Sequence, residues 1–282
     1  MTPADKIAAL DARTRFALEV LQREEAIDLG RAALLVAAEE DARCDVGRSL
    51  EVLEALGAEA RARVERGEGS RVEALNRYLF DELGFVGNQT DYYDPRNSLL
   101  HHVLERRTGI PITLSLVYME VGRRAGMTVE GVGMPGHFIV RACVGEPDVA
   151  LVDPFHGQTV DEDDCQQRLD IIYGGQVPLT AEHLRPVGTR EILVRLLANL
   201  KAIYSQTQLY RRALAVVERI LLLAPQSFGE RRDRGILLAQ LDRLPEAIAE
   251  LRSYLNFAEN APDSEAVREQ LKKMQVRLAM LN

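Results

Sequence analysis

The hydrophobic period changes twice along this chain, and those changes limit the folds open to it. Apolar residues first recur at helical spacing: Phe16, Val20 and Leu21, then Leu75, Tyr78 and Leu79, then Leu114, Val117, Tyr118 and Val121. Over 129–132, 138–144 and 150–152 the period drops to two, which predicts strands. Gly133-Met134-Pro135-Gly136 and Gly145-Glu146-Pro147-Asp148 supply the turns between them. From about Thr189 the helical period returns. The order predicts an α+β fold: a mainly helical N-terminal region with a small antiparallel sheet, then an all-α module.

Local signals divide the chain further. Ser70-Arg71-Val72-Glu73 is a capping box, in which serine and glutamate each satisfy a free N–H at a helix start. The helix it opens is expected to stop near Gly84. Asp91-Tyr92-Tyr93-Asp94-Pro95-Arg96-Asn97 is loop chemistry. Gly109-Ile110-Pro111 breaks one helix and starts another, proline being suited to a first turn. The expected domains are 1–180, with a helical subregion 1–85 and a core 86–180, and a helical module 186–282.

That module contains a repeat. Ala213 and Ala247 are 34 positions apart, as are Leu214/Ile248, Val217/Leu251, Leu221/Leu255 and Tyr204/Leu238. A 34-residue period of helix pairs resembles the tetratricopeptide repeat. Units are expected at about 190–225 and 227–259, with a capping helix over 263–281. The second unit departs from the family at Arg231, where a large apolar residue is usual, and at Tyr254, where a small one is. Helical repeats present concave surfaces to proteins and peptides, so a protein partner is expected here.

Charge excludes other partners. A net charge of −8 argues against sequence-independent binding to nucleic acid. No apolar run approaches the roughly 20 residues of a membrane span, and the first residues lack the apolar core of a signal peptide. Three widely spaced cysteines suit reduced thiols, so a cytoplasmic protein is expected. His101 and His102 are neighbours on a helix and should point to different sides, so neither a metal nor a cofactor is expected.

Three features carry the chemistry: a helix entered through Gly109-Ile110-Pro111-Ile112-Thr113-Leu114-Ser115, then His137 at the start of a strand, then Asp153 at the end of the next. This is the chain order of the transglutaminase and papain-like cysteine hydrolases. In them a helix N-terminus favours the nucleophile's thiolate, histidine takes its proton, and aspartate fixes the imidazole. Several longer blocks narrow the match: 76–85, Gly87-Asn88, 91–98, 103–115, Pro135-Gly136-His137-Phe138 and Asp153-Pro154-Phe155. Residues 30–170 thereby resemble the SirB1 family of the transglutaminase-like superfamily. The resemblance implies the fold and, commonly, C-terminal tetratricopeptide-like helices.

The resemblance also implies a nucleophile position. Enzymatic relatives carry a cysteine about fifteen residues before the glycine that ends the helix. Counting back from Gly126 reaches Pro111 (126 − 15), which has no nucleophile. Cys143 lies six residues past His137 on one strand, roughly 20 Å away at the usual rise. Cys44 and Cys165 lie in helices outside the pattern. The expectation is a catalytically degenerate domain in which His137 and Asp153 are vestigial, acting with the repeats to bind a protein or peptide. The alternative is an acyl hydrolase or acyltransferase using His137, Asp153 and a hydroxyl, Thr113 or Ser115. Asn88, Tyr92, Tyr93, Arg96 and Asn97 are the candidate ligand-binding residues of the central cleft.

Overall fold

The computed structural model describes residues 3–67, 69–145 and 148–281; Glu146 and Pro147 of the second expected turn lie outside them. The chain forms two compact units, Met1–Leu196 and Leu197–Asn282. The α+β class read from the sequence is the one observed.

The first unit opens with helices α1 (Pro3–Val20), α2 (Leu29–Glu40) and α3 (Val46–Arg66). Asp28 and Asp45 cap α2 and α3 by accepting the N–H groups of Arg31 and Arg48. Gly67, at φ 70°, ends α3 in the left-handed conformation that glycine adopts freely. The capping box then opens α4 (Arg71–Asn76): the Glu73 N–H donates to Ser70 Oγ, and the Ser70 N–H donates to Glu73 Oε2. The helix does not run on to Gly84 in α geometry. It widens into a π-helical turn over Arg77–Glu82, where the Leu83 N–H reaches back to the Tyr78 carbonyl.

Next comes a short parallel pair, β1 (Val86–Gly87) with β2 (Thr108–Gly109), enclosing α5 (Leu100–Arg106). Beyond it lies α6 (Pro111–Arg124), whose residues from Pro111 to Gly122 are all buried. It packs against α2, α3, α5 and the strands β3 (Val129–Val132) and β4 (Ile139–Gly145). The sheet continues with β5 (Asp148–Asp153) and β6 (Gln158–Val160). After α7 (Glu162–Tyr173), strand β7 (Pro186–Val187) returns to β3, giving the antiparallel order β6-β5-β4-β3-β7. The three strands read from the sequence are the middle of this sheet. The two edge strands, of three and two residues, are too short to show a period.

Helix α8 (Thr189–Gln206) carries the chain from the first unit into the second. The second unit adds α9 (Tyr210–Leu223), α10 (Phe228–Gln240), α11 (Leu244–Phe257) and α12 (Ser264–Leu281). The 34-residue period holds in burial: Ala213 and Ala247, Val217 and Leu251, and Tyr204 and Leu238 are all buried. It also holds in the backbone. Gln208 and Asp242, 34 apart, both take positive φ (58° and 60°), and the next N–H of each bonds back to Tyr204 or Leu238. Tyr254, the departure from the small residue usual there, packs with Leu251 and Val267 and donates its hydroxyl to Asp263 at 2.5 Å. The larger side chain thus ties α11 to the loop before the cap.

Close packing around α6 needs glycine at particular places. A Cβ on Gly57 of α3 would lie 2.2 Å from the Cβ of Arg124, and one on Gly30 of α2 would lie 2.6 Å from Glu120 Oε2. Gly57→Ala is therefore expected to lower unfolding stability by about 1–3 kcal/mol, the usual range for forced overpacking. Urea denaturation of the variant measures it.

Candidate functional site

The site lies at the start of β4, where the buried helix α6 packs, and at the end of the neighbouring strand β5. The turn Met134-Pro135-Gly136-His137 leads into β4, with Gly136 at φ 65° and the His137 N–H donating to the Met134 carbonyl. Arg195 of α8 fixes this turn. Its guanidinium donates to the carbonyls of Met134 and His137 and lies 5.4 Å from the centre of the Phe138 ring. On the other side Ser115 Oγ of α6 donates to the Phe138 carbonyl at 3.3 Å. His137 is thus held by backbone contacts from two helices.

Asp153 ends β5 and is fully buried. Its Oδ1 accepts the N–H groups of Phe155 and His156 at 3.0 and 3.3 Å, closing the turn beyond the strand. Its Oδ2 gathers three side chains: His137 Nε2 at 3.0 Å, His156 Nδ1 at 2.6 Å and Arg168 Nη1 at 2.5 Å. The His137 contact has ion-pair distance without hydrogen-bond direction, so this ring nitrogen, though buried, makes no hydrogen bond among the described residues. Burial alone would push the Asp153 carboxyl up. The imidazoles and Arg168 more than reverse that and hold it well below the usual carboxylate range.

The structure therefore brings His137 and Asp153 together and adds two residues that the sequence reading did not include. His156 stacks on His137 with ring centres 5.9 Å apart. Arg168 reaches Asp153 from α7, where it lies on the same helix face as buried Cys165 and Leu169. It is the one basic residue of that acidic helix, and that was the available signal. Phe155 packs edge-on to both His137 and Tyr92.

The hydroxyls are engaged elsewhere. Thr113 Oγ1 lies 2.7 Å from the Asn97 carbonyl, to which it donates, and accepts the Ile110 N–H at 3.1 Å, in a fully buried position. Ser115 is equally buried and bonded to Phe138. Pro111 fills the first helical position and is buried. Cys143 pairs with Val149 inside the sheet. Burial pushes the Cys44 thiol up to about 12 and the Cys165 thiol up to about 11, so neither supplies thiolate at neutral pH.

The candidate binding loop divides in two. Asn88 and Asn97 are buried and bond to each other at 3.1 Å, and Asn97 Nδ2 also holds the carbonyls of Asp91 and Tyr92. Arg96 folds back onto Asp94. Tyr92 and Tyr93 are exposed, and their rings meet edge to face. Elsewhere, His101 and His102 do not point to different sides as expected. Their ring centres are 4.0 Å apart, and both turn toward Asp41 at the end of α2.

Comparison with known proteins agrees with this architecture. Residues 48–198 match the model of the transglutaminase-like superfamily, and residues 200–272 match a tetratricopeptide repeat model. A UPF0162 protein of Xylella fastidiosa is 37% identical over 251 residues, covering 87% of this chain and 89% of that protein. Protein SirB1 of Salmonella typhimurium is 27% identical over 204 residues, 72% of this chain and 76% of that one. F-box only protein 21 of Homo sapiens is 36% identical over 137 residues, 46% of this chain but 21% of its own length. No solved structure matches the chain. Among the described residues no helix is long and apolar enough to cross a membrane.

Asp153→Asn removes the charge that pairs with Arg168 inside the unit. The expected loss is about 3–5 kcal/mol at neutral pH, as for other broken buried pairs. Because the folded carboxyl titrates below its unfolded value of about 3.9, the wild-type advantage is present above that pH and is lost as pH falls below it. Denaturation of both proteins across acidic pH checks the sign.

Proposed function

Since the chain belongs to the SirB1 family of the transglutaminase-like superfamily, we propose that its first unit keeps the fold of a cysteine hydrolase as a binding module. The second unit supplies a tetratricopeptide protein-interaction module. In this reading the protein is regulatory and catalytically degenerate, and its partner is a protein or peptide.

One observation carries the reading. Among the described residues no hydroxyl or thiol is hydrogen-bonded to His137, while Thr113 and Ser115 are committed to backbone carbonyls. A triad needs its nucleophile in contact with its base and its acid free to stabilise the imidazolium. Here Arg168 neutralises Asp153, which weakens that stabilisation. The same arrangement suits recognition. His137, His156, Tyr92 and Tyr93 combine polar groups with aromatic surface, the composition that anchors peptides. The Tyr92 ring is only partly exposed, and its partial desolvation raises the phenol above its ordinary range, so it stays a hydrogen-bond donor. The matched segment of the human F-box only protein 21 fills only 21% of that chain, which supports a portable module.

Full-length protein offered activated acyl esters and thioesters is expected to hydrolyse them no faster than His137→Ala. A rate that vanishes in His137→Ala would instead establish an acyl hydrolase. Peptides selected on the full chain from a random library are expected to lose about 2 kcal/mol of affinity in Tyr92→Ala, the scale of an interface hot spot. Calorimetry measures the loss.

A further inference from the structure

Away from the His137 site, the first unit holds a second cluster of titratable groups. Asp41 lies just past the last turn of α2, and its N–H bonds to the Ala37 carbonyl there. His101 and His102 stand in the first turn of α5, which packs against α2. Asp41 Oδ2 is hydrogen-bonded to His102 Nε2 at 3.0 Å and lies 3.5 Å from His101 Nε2. One ligand atom from each residue falls within 4.8 Å of the other two. Tetrahedral zinc with bonds of about 2.0–2.1 Å needs ligand atoms roughly 3.3 Å apart. The two spacings around Asp41 bracket that value.

We propose that Asp41, His101 and His102 bind one divalent transition-metal ion of the zinc or cobalt type. Two imidazoles and one carboxylate favour such ions over magnesium or calcium, which take oxygen ligands. Three further features support the site. His101 is 5% exposed, yet neither of its ring nitrogens has a hydrogen-bond partner among the described residues. An unmet buried polar group is costly, and coordination through Nε2 removes one of the two. Glu105 Oε2 stands 3.6 Å from His102 Nδ1, where a carboxylate orients a ligating histidine. Finally, a cavity of about 280 Å³ adjoins His101, lined also by Arg43, Arg48, Ser49 and Glu105. It gives an approach from solvent to the His101 ring.

Arg43 pairs with both oxygens of Asp41, but its side chain is 80% exposed. Only the Arg43 side of this pair faces solvent, so the guanidinium can turn outward when a cation takes its place beside Asp41. The His137, Asp153 and His156 group has a comparable ligand set and is less suited. There the less exposed Arg168 holds Asp153 Oδ2, and two backbone N–H groups hold Oδ1.

The test is titration of the EDTA-dialysed full chain with Zn2+ by calorimetry, and with Co2+ by visible absorption. Wild type is expected to bind one ion and to melt at a higher temperature with zinc. Asp41→Asn and His102→Gln are expected to lose binding. Glu105→Gln, an exposed change that leaves all three ligands in place, is expected to weaken it by about 10- to 100-fold. His156→Gln should bind as wild type does. The proposal is overturned if wild type binds no ion, if Asp41→Asn and Glu105→Gln bind like wild type, or if binding depends on His156 instead.

Discussion

The burial of α6 on all sides is the constraint on which the first unit rests. A helix with no solvent face needs neighbours in every direction, and α2, α3, α5, β3 and β4 provide them. Its polar side chains must then be satisfied from within. Thr113 and Ser115 take backbone carbonyls, Tyr118 donates to Asn76 at 2.8 Å, and the fully buried Glu120 is compensated by Arg123 and Arg124. A buried carboxylate without such partners would cost several kcal/mol. The same groups that permit burial remove the helix's free hydroxyls. Helix α6 is the structural pillar of the first unit.

At the end of β5, Asp153 sets the character of the site. One oxygen is consumed by the turn it caps, and the other is shared by two imidazoles and a guanidinium. The carboxylate joins β5, the His137 turn and α7, so its charge has a mechanical role. Because Arg168 cancels that charge locally, the two imidazoles are left beside a neutral pair.

Much of this was legible from residue order. The change of period marked the sheet, the 34-residue spacing marked the repeats, and His137 and Asp153 were placed by their strands. The features that escaped were set by tertiary contact. Asp41 and His101 are 60 positions apart (101 − 41), and no periodicity announces their meeting. Arg168 reads as one base in an acidic helix, although its spacing from Cys165 and Leu169 places it on the buried face. Gln208 and Asp242 adopt positive φ without being glycine, so the recurrence of the backbone is hidden behind two unlike side chains. The capping box at Ser70 is plain in the sequence, but Leu75, Tyr78 and Leu79 fit an α-helix as well as the π turn that forms there.

That π turn has a consequence for how the chain tolerates change in length. It accommodates one residue more than an α-helix would over the same rise. The displaced ring of Phe80 stacks on Tyr118 at 5.9 Å and presses against Gly157, in the turn that carries His156. Deleting a single residue between Arg77 and Glu82 would let the segment relax to α geometry and rotate the downstream chain by about 100°. Phe80 would then leave the turn that it packs against. The segment is a length gauge, set one residue long, for everything built after it.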